Sequence, residues 1–192
     1  MAYDDLTHIY RVRGQVVPSV TRLASPHCPW WTDEARARGQ AIHDFGLALD
    51  MGDRPALTDL PFEWRGYARA LLGAYDELRP RWMEIETART NVHLRYGGRR
   101  DRVGVLLASV AIVDFKTSDV EEWHGIQLAG YDLLDRPRLS RPGATRRRFG
   151  LYLAASGRHK LREFVDPNDR VKFLGQLAAY WRDARPLTRK DL

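Results

Sequence analysis

Residues 96–119 read YGGRRDRVGVLLASVAIVDFKTSD, and three side chains in this otherwise apolar run have the types needed for chemistry: Asp101, Asp114 and Lys116. A carboxylate in a buried strand is costly unless a positive group lies against it. Two kinds of partner suit these residues. One is an ion pair between Asp114 and Lys116 themselves, because strand alternation puts residues i and i+2 on one face and turns Phe115 to the other. The second is a divalent cation. Mg²⁺ and Mn²⁺ prefer oxygen ligands, take few protein carboxylates and keep positions for water and phosphate oxygens. Asp101 and Asp114 would supply two such carboxylates at the ends of adjacent strands. Lys116 would then reach the region that Asp114 organises, orienting a nucleophile and stabilising negative charge while the metal lowers the pKa of bound water. That is the chemistry of phosphodiester hydrolysis.

The elements that must hold these residues are legible from periodicity and punctuation. HIYRVRGQVVPSVTRL alternates around a Gly14-Gln15 turn and meets Pro18, which predicts a short hairpin or edge strand followed by the start of a helix. A helix is expected from Thr32, since Ala35, Arg38, Ile42, Phe45 and Leu49 recur at intervals of three and four, with His43 beside the stripe. A second helix is expected from Phe62 to Leu78, with Trp64, Ala68, Leu71, Tyr75 and Leu78 on one face and Pro80 as its stop, so that the two helices make one layer. Residues 83–96 read as two short β segments, and 99–107 and 110–116 as two more joined by a tight Ala108-Ser109 connection. The period turns helical again from Val120 to Leu134, where Trp123, Gln127 and Tyr131 share one face.

RPRLSRPGATRRR, residues 136–148, then reads as a surface loop with six arginines. Such a loop is either solvated or a phosphate-binding arm. Salt-sensitive backbone contact favours the arm, with Arg146, Arg147 and Arg148 as its substrate-binding residues. FGLYLAASGRHKLREFVD is a hairpin turning at Ser156-Gly157, and Asp166-Pro167-Asn168 opens a last amphipathic helix reaching about Arg185. The expected architecture is an α/β layered fold with a mixed central sheet flanked by helices. With no repeat and no long linker, residues 1–192 are expected to form a single domain.

Composition bounds the function. Lys and Arg total 31 against 25 Asp and Glu, a net charge of +6, which favours a polyanionic partner. Basic composition also arises with no function attached, so charge alone does not decide. Cys28 is the single cysteine, which excludes a disulfide framework, a thiolate zinc site and a cysteine-held iron–sulfur cluster within one chain. MAYDDLTHIY lacks the pattern of a leader, and no apolar run approaches 18 residues, so a cytoplasmic protein with no membrane partner is expected. Trp30 and Trp31 either pack a core or stack on unpaired bases, and Cys28 beside His27, being alone, reads as a core or helix-start residue and not as a zinc ligand.

Five short elements occur in a recognisable order: Pro18-Ser-Val-Thr21, Arg38-Gly39-Gln-Ala-Ile-His43, Gly98-Arg-Arg-Asp101, Ile112-Val-Asp114-Phe-Lys116-Thr and Gln127-Leu-Ala-Gly-Tyr131. Together they resemble the PD-(D/E)XK nuclease superfamily in its RecB-like branch, including phage-type members and proteins similar to the mitochondrial genome maintenance exonuclease. Each element alone is common, and their order on suitable elements carries the likeness. The resemblance implies a restriction-endonuclease-like layered fold and a Mg²⁺- or Mn²⁺-dependent DNA hydrolase. It implies His43, Asp101 and Asp114 as metal ligands, with the Phe115 carbonyl as a backbone ligand. Asp101, Asp114 and Lys116 would be catalytic, and Gln127 and Tyr131 would bind substrate or support the site. The branch often places an acid before the Gly-x-x-Asp strand; Glu84 and Glu86 compete for that role with the same strand parity, and Glu86 is the one carried forward.

The function these expectations support is a DNA exonuclease in phage or bacterial recombination, repair or replication, acting as a homo-oligomer or beside another recombination or replication protein. Two other readings stay open: a structure-selective or nicking endonuclease with the same site, and a non-catalytic nucleic-acid-binding protein that keeps the fold.

Overall fold

The chain opens with a small antiparallel sheet whose strands β1 (Ala2–Asp4), β2 (Ile9–Val12) and β3 (Gln15–Val17) lie in sequence order. In this computed structural model residues 2–4, 9–25, 32–135 and 146–184 are described. The β2–β3 turn is Arg13-Gly14, with φ of 52° and 81°. Positive φ at both central residues gives a turn whose twist matches that of the flanking strands. The turn therefore sits one residue earlier than Gly14-Gln15. A short helix α1 (Val20–Ala24) follows Pro18, capped where the Ser19 hydroxyl accepts from the Arg22 N–H.

Helix α2 (Asp33–Asp50) begins at the expected position and is capped by Thr32, whose hydroxyl accepts from the Ala35 N–H. Phe62–Trp64 forms a 3-10 turn and the α-helix proper, α3 (Arg65–Leu78), begins after it. It ends where Arg79 takes a left-handed φ of 45° ahead of Pro80.

The main sheet has five strands in sequence order: β4 (Arg81–Asn91), β5 (Tyr96–Leu106), β6 (Ser109–Lys116), β7 (Arg147–Leu153) and β8 (His159–Glu163). Neighbours are antiparallel except β6 and β7, which are parallel. A parallel pair needs a long crossover, and here it contains helix α4 (Glu122–Leu133). The last helix is α5 (Asn168–Asp183).

Two details differ from the sequence reading. Residues 83–91 belong to one continuous strand, which absorbs an irregularity between Trp82 and Glu84 and still pairs through to Asn91 opposite Tyr96. The β5–β6 connection is Leu107-Ala108, with φ of 49° and 59°, one residue before Ala108-Ser109.

The sheet divides two cores. One face packs Leu106, Val113, Phe115 and Leu151 against Ile42, Phe45, Ala68 and Leu71 of α2 and α3. The other packs Val103 and Ile112 against Val20, Leu128, Leu133 and Phe173 of α1, α4 and α5. Strand alternation explains both: Ile112 and Val113 are adjacent and point to opposite faces. The result is a layered α/β fold with a mixed five-stranded sheet flanked by helices.

Candidate metal centre

The register brings acids from three strands into one row. Ile85 pairs with Arg102 and Thr87 with Arg100, so Glu86 of β4 lies opposite Asp101 of β5. Arg102 pairs with Val113, so one step further Asp101 faces Asp114 of β6. Asp114 in turn pairs with Gly150 of β7.

Sequence parity left Glu84 and Glu86 equivalent, and the backbone separates them. Glu86 has φ of 44°, which breaks the alternation. Glu84 consequently pairs with Arg89 and Arg100, while the Glu86 carboxylate meets His43, Arg99 and Arg102.

His43 comes to this row from α2. Its Nδ1 is 3.4 Å from Glu86 Oε1 and 3.6 Å from Asp101 Oδ2, and its Nε2 is 3.3 Å from the Phe115 carbonyl oxygen. Asp101 Oδ2 accepts the Phe115 N–H at 2.7 Å. Ligand atoms of His43, Glu86 and Asp101 all lie within 4.8 Å of one another. Asp114 adjoins this group while paired with Lys116. Glu86, rather than Asp114, therefore completes the tightest trio.

Lys116 is held from the helix side. Its Nζ donates to Gln127 Oε1 at 2.7 Å, and Gln127 Nε2 donates to Thr21 Oγ1 at 3.0 Å and to the Tyr131 hydroxyl at 3.3 Å. Tyr131 itself needs a bare backbone beside it: a Cβ on Gly98 would sit 2.9 Å from its ring. All five sequence elements are thus joined by contact, the Arg38–His43 element both through His43 and through Arg38, which donates to the Thr117 carbonyl at 3.3 Å.

Electrostatics show how crowded the row is. Asp101 and Asp114 are only 7% and 3% exposed. Burial, with Asp114 and Glu86 nearby, lifts the Asp101 carboxyl to about 8 against the pull of His43 and Lys116. Burial also works against a charged His43, but Asp101, Glu86 and Asp114 overcome it and raise the imidazole to about 9. Burial would push Asp114 up too; Lys116 holds it below the usual carboxylate range. Glu86 is likewise lowered against burial, by His43 and Arg102.

An oxygen-rich donor set with one imidazole, in which converging carboxylates push one of their number toward protonation, fits a hard divalent cation. His43, Glu86, Asp101, Asp114 and the Phe115 carbonyl are the groups able to hold it. All of these but Glu86, which lies behind His43, line a cavity of about 500 Å³ whose wall also includes Arg36, Arg38, Arg99, Trp123 and His124.

The arginine arm requires correction. Arg147 and Arg148 are residues of β7, and all three guanidiniums are engaged by the chain's own acids. Arg146 Nη1 donates to Asp135 Oδ2 at 2.7 Å, Arg147 grips Glu163 through two bonds of 2.8 and 2.6 Å, and Arg148 lies 3.1 Å from Asp169. They border a different cavity from the one at the acids. Changing all three to Ala should lower the melting temperature by roughly 5 °C, chiefly through the buried Asp169, which loses its Arg148 partner. The salt dependence of DNA binding should change little. A flattened salt dependence with an unmoved melting temperature in that variant would restore the arm. Arg136, Arg138 and Arg141 of the same stretch, with His27, Cys28, Trp30, Trp31 and Arg185, lie outside the described residues.

Sequence reasoning singled out neither Asp50 nor Arg102, both of which reach the site. A signal was present for the first: Asp50 is seven residues from His43, hence on the same helix face.

Among the described residues no helix is long and apolar enough to cross a membrane. The chain matches no family model and no curated protein. Among solved structures, that of SSO0001 aligns with 91% of this chain and 78% of its own at 17% identity and a TM-score of 0.44.

Proposed function

We propose that the chain is a metal-dependent deoxyribonuclease of the PD-(D/E)XK kind, an exonuclease in preference to a site-specific endonuclease. One observation carries the reading. Residues from positions 43 to 116 converge at one cavity as an imidazole, two carboxylates and a lysine, with Glu86 behind the imidazole, and Gln127 fixes that lysine beside Asp114.

Mg²⁺ or Mn²⁺ bound there would supply an activated water and charge neutralisation at the scissile phosphate. His43, Asp101 and Asp114 are the side chains assigned to hold it, with the Phe115 carbonyl. Glu86 braces His43. Lys116 presents its ammonium to the reacting phosphate oxygens and stabilises the charge that develops on them. Gln127, anchored on Thr21, keeps that ammonium from swinging into solvent. Arg36 and Arg38 on the cavity wall meet the phosphodiester backbone on its way in. By the same resemblance, the setting is phage or bacterial DNA recombination, repair or replication.

The test is cleavage of linear single-stranded, linear double-stranded and circular single-stranded DNA with Mn²⁺, Mg²⁺ or EDTA. Metal-dependent loss of linear DNA with the circle intact is expected. A cut circle would make the protein an endonuclease, and tight DNA binding with no cutting under either metal would make it a binding protein.

A further inference from the structure

We infer that Arg102 is the positioning residue of the metal centre, holding Glu86 in its left-handed turn so that the Glu86 carboxylate faces His43. The inference rests on the reading of this site as a metal centre, which it deepens.

Arg102 has no exposed surface, yet its guanidinium is built into the back of the site. Nη1 donates to Glu86 Oε1 at 2.7 Å and to the Asp101 carbonyl at 2.8 Å, and Nε donates to Asp50 Oδ2 at 2.5 Å. The same group lies over the Phe115 ring, 4.9 Å from its centre, and the Phe115 carbonyl is the oxygen that His43 Nε2 faces. One side chain thus touches the supports of three groups assigned to the cation. It is braced from behind: Tyr75 donates to Asp50 Oδ1 at 2.7 Å, and Trp82 Nε1 donates to the Tyr75 hydroxyl at 3.1 Å. Gly46 leaves the room this needs, since a Cβ there would sit 3.3 Å from Arg102 Nη2.

The backbone explains why such a brace is required. Glu86 is a non-glycine residue at φ of 44°, a conformation disfavoured for L side chains. Ordinary strand geometry would give Glu86 the parity of Glu84 and turn its carboxylate toward the opposite face. The bond from Arg102, seconded by Arg99 Nε at 3.2 Å from Glu86 Oε2, holds the carboxylate on the His43 side. Glu86 then fixes the imidazole, as carboxylates behind metal-bound histidines do.

The experiment measures binding of Mn²⁺ alone, without DNA, by calorimetry and electron paramagnetic resonance. Wild type is compared with Arg102→Met, Glu86→Gln, the double variant, Tyr75→Phe and Asp101→Asn. Arg102→Met and Glu86→Gln are each expected to weaken Mn²⁺ binding about tenfold, and the double variant no more than either single, because the two act as one unit. Tyr75→Phe, which removes only a hydroxyl, is expected to weaken it about threefold and covers the case in which Arg102→Met does not fold. Unchanged Mn²⁺ affinity in folded Arg102→Met or Tyr75→Phe would overturn the inference. So would losses that multiply in the double variant. A purely structural Arg102 would lower the melting temperature and leave the affinity of the folded protein alone. Wild type failing to bind Mn²⁺, or Asp101→Asn binding it as well as wild type, would sink the metal reading itself.

Discussion

Asp114→Ala is expected to abolish metal-dependent cleavage, lowering the rate at least about 10³-fold, or roughly 4 kcal/mol of transition-state stabilisation. Asp114 is buried between Asp101 and Lys116, so its carboxylate serves both the cation and the ammonium that meets the phosphate. Its loss removes a ligand and frees the lysine from its partner at once. The fold should survive the change. One of three mutually repelling carboxylates is gone, so the pressure that raises Asp101 falls, and Lys116 keeps its bond to Gln127. DNA binding in EDTA should be retained, because the cations lining the cavity remain and a negative charge has left it. Cleavage by end-labelled gel assay beside fluorescence anisotropy on the same substrate checks both halves. Activity that survives in Asp114→Ala would rule out the metal site as drawn.

The parts of the fold legible in the sequence are those governed by local rules. The start of α2 after Thr32, the arrest of α3 before Pro80 and the shared face of Trp123, Gln127 and Tyr131 follow from helical period and proline sterics, and the structure has all of them. Two turn positions slipped by one residue, at Arg13 and Leu107, where a non-glycine adopts positive φ. Side-chain preference signals such residues weakly, because the twist of the flanking strands imposes the conformation.

Strand parity left Glu84 and Glu86 undecided for the same reason: alternation is the whole content of a parity argument, and one left-handed residue cancels it. Arg102 was invisible for a different reason. An arginine in a strand reads as an exposed residue, and only the pairing of β4 with β5 and the end of α2 bring Glu86 and Asp50 to it. The arginines after residue 145 were misread in the opposite direction. Their density suggested a free basic arm, whereas Glu163, Asp135 and Asp169, near them only through the β7–β8 pairing and the helix ends, occupy them. Charge composition cannot distinguish a cation offered to a ligand from one already taken.

Lys116→Met should separate the lysine's chemistry from its ion pair. If Lys116 serves only to neutralise Asp114, its removal leaves a buried carboxylate that a divalent cation can neutralise instead, and cleavage with saturating Mn²⁺ should be nearly normal. If its ammonium also meets the phosphate, cleavage should fall about 10²–10³-fold even with the metal saturating, the loss typical of removing one group placed where charge develops. The geometry favours the second outcome. Gln127, Thr21 and Tyr131 hold the lysine on the cavity side, a scaffold that a simple charge pair does not require. Mn²⁺ binding should be preserved in Lys116→Met, since the variant removes a cation that competes for Asp114 and leaves every ligand in place. The profile expected is therefore a large fall in kcat with Mn²⁺ affinity retained, the reverse of the pattern for Asp101→Asn. Near-normal turnover at saturating Mn²⁺ would reduce Lys116 to a partner of Asp114. Parallel loss of turnover and Mn²⁺ binding would show instead that the lysine is needed to keep the ligands in place.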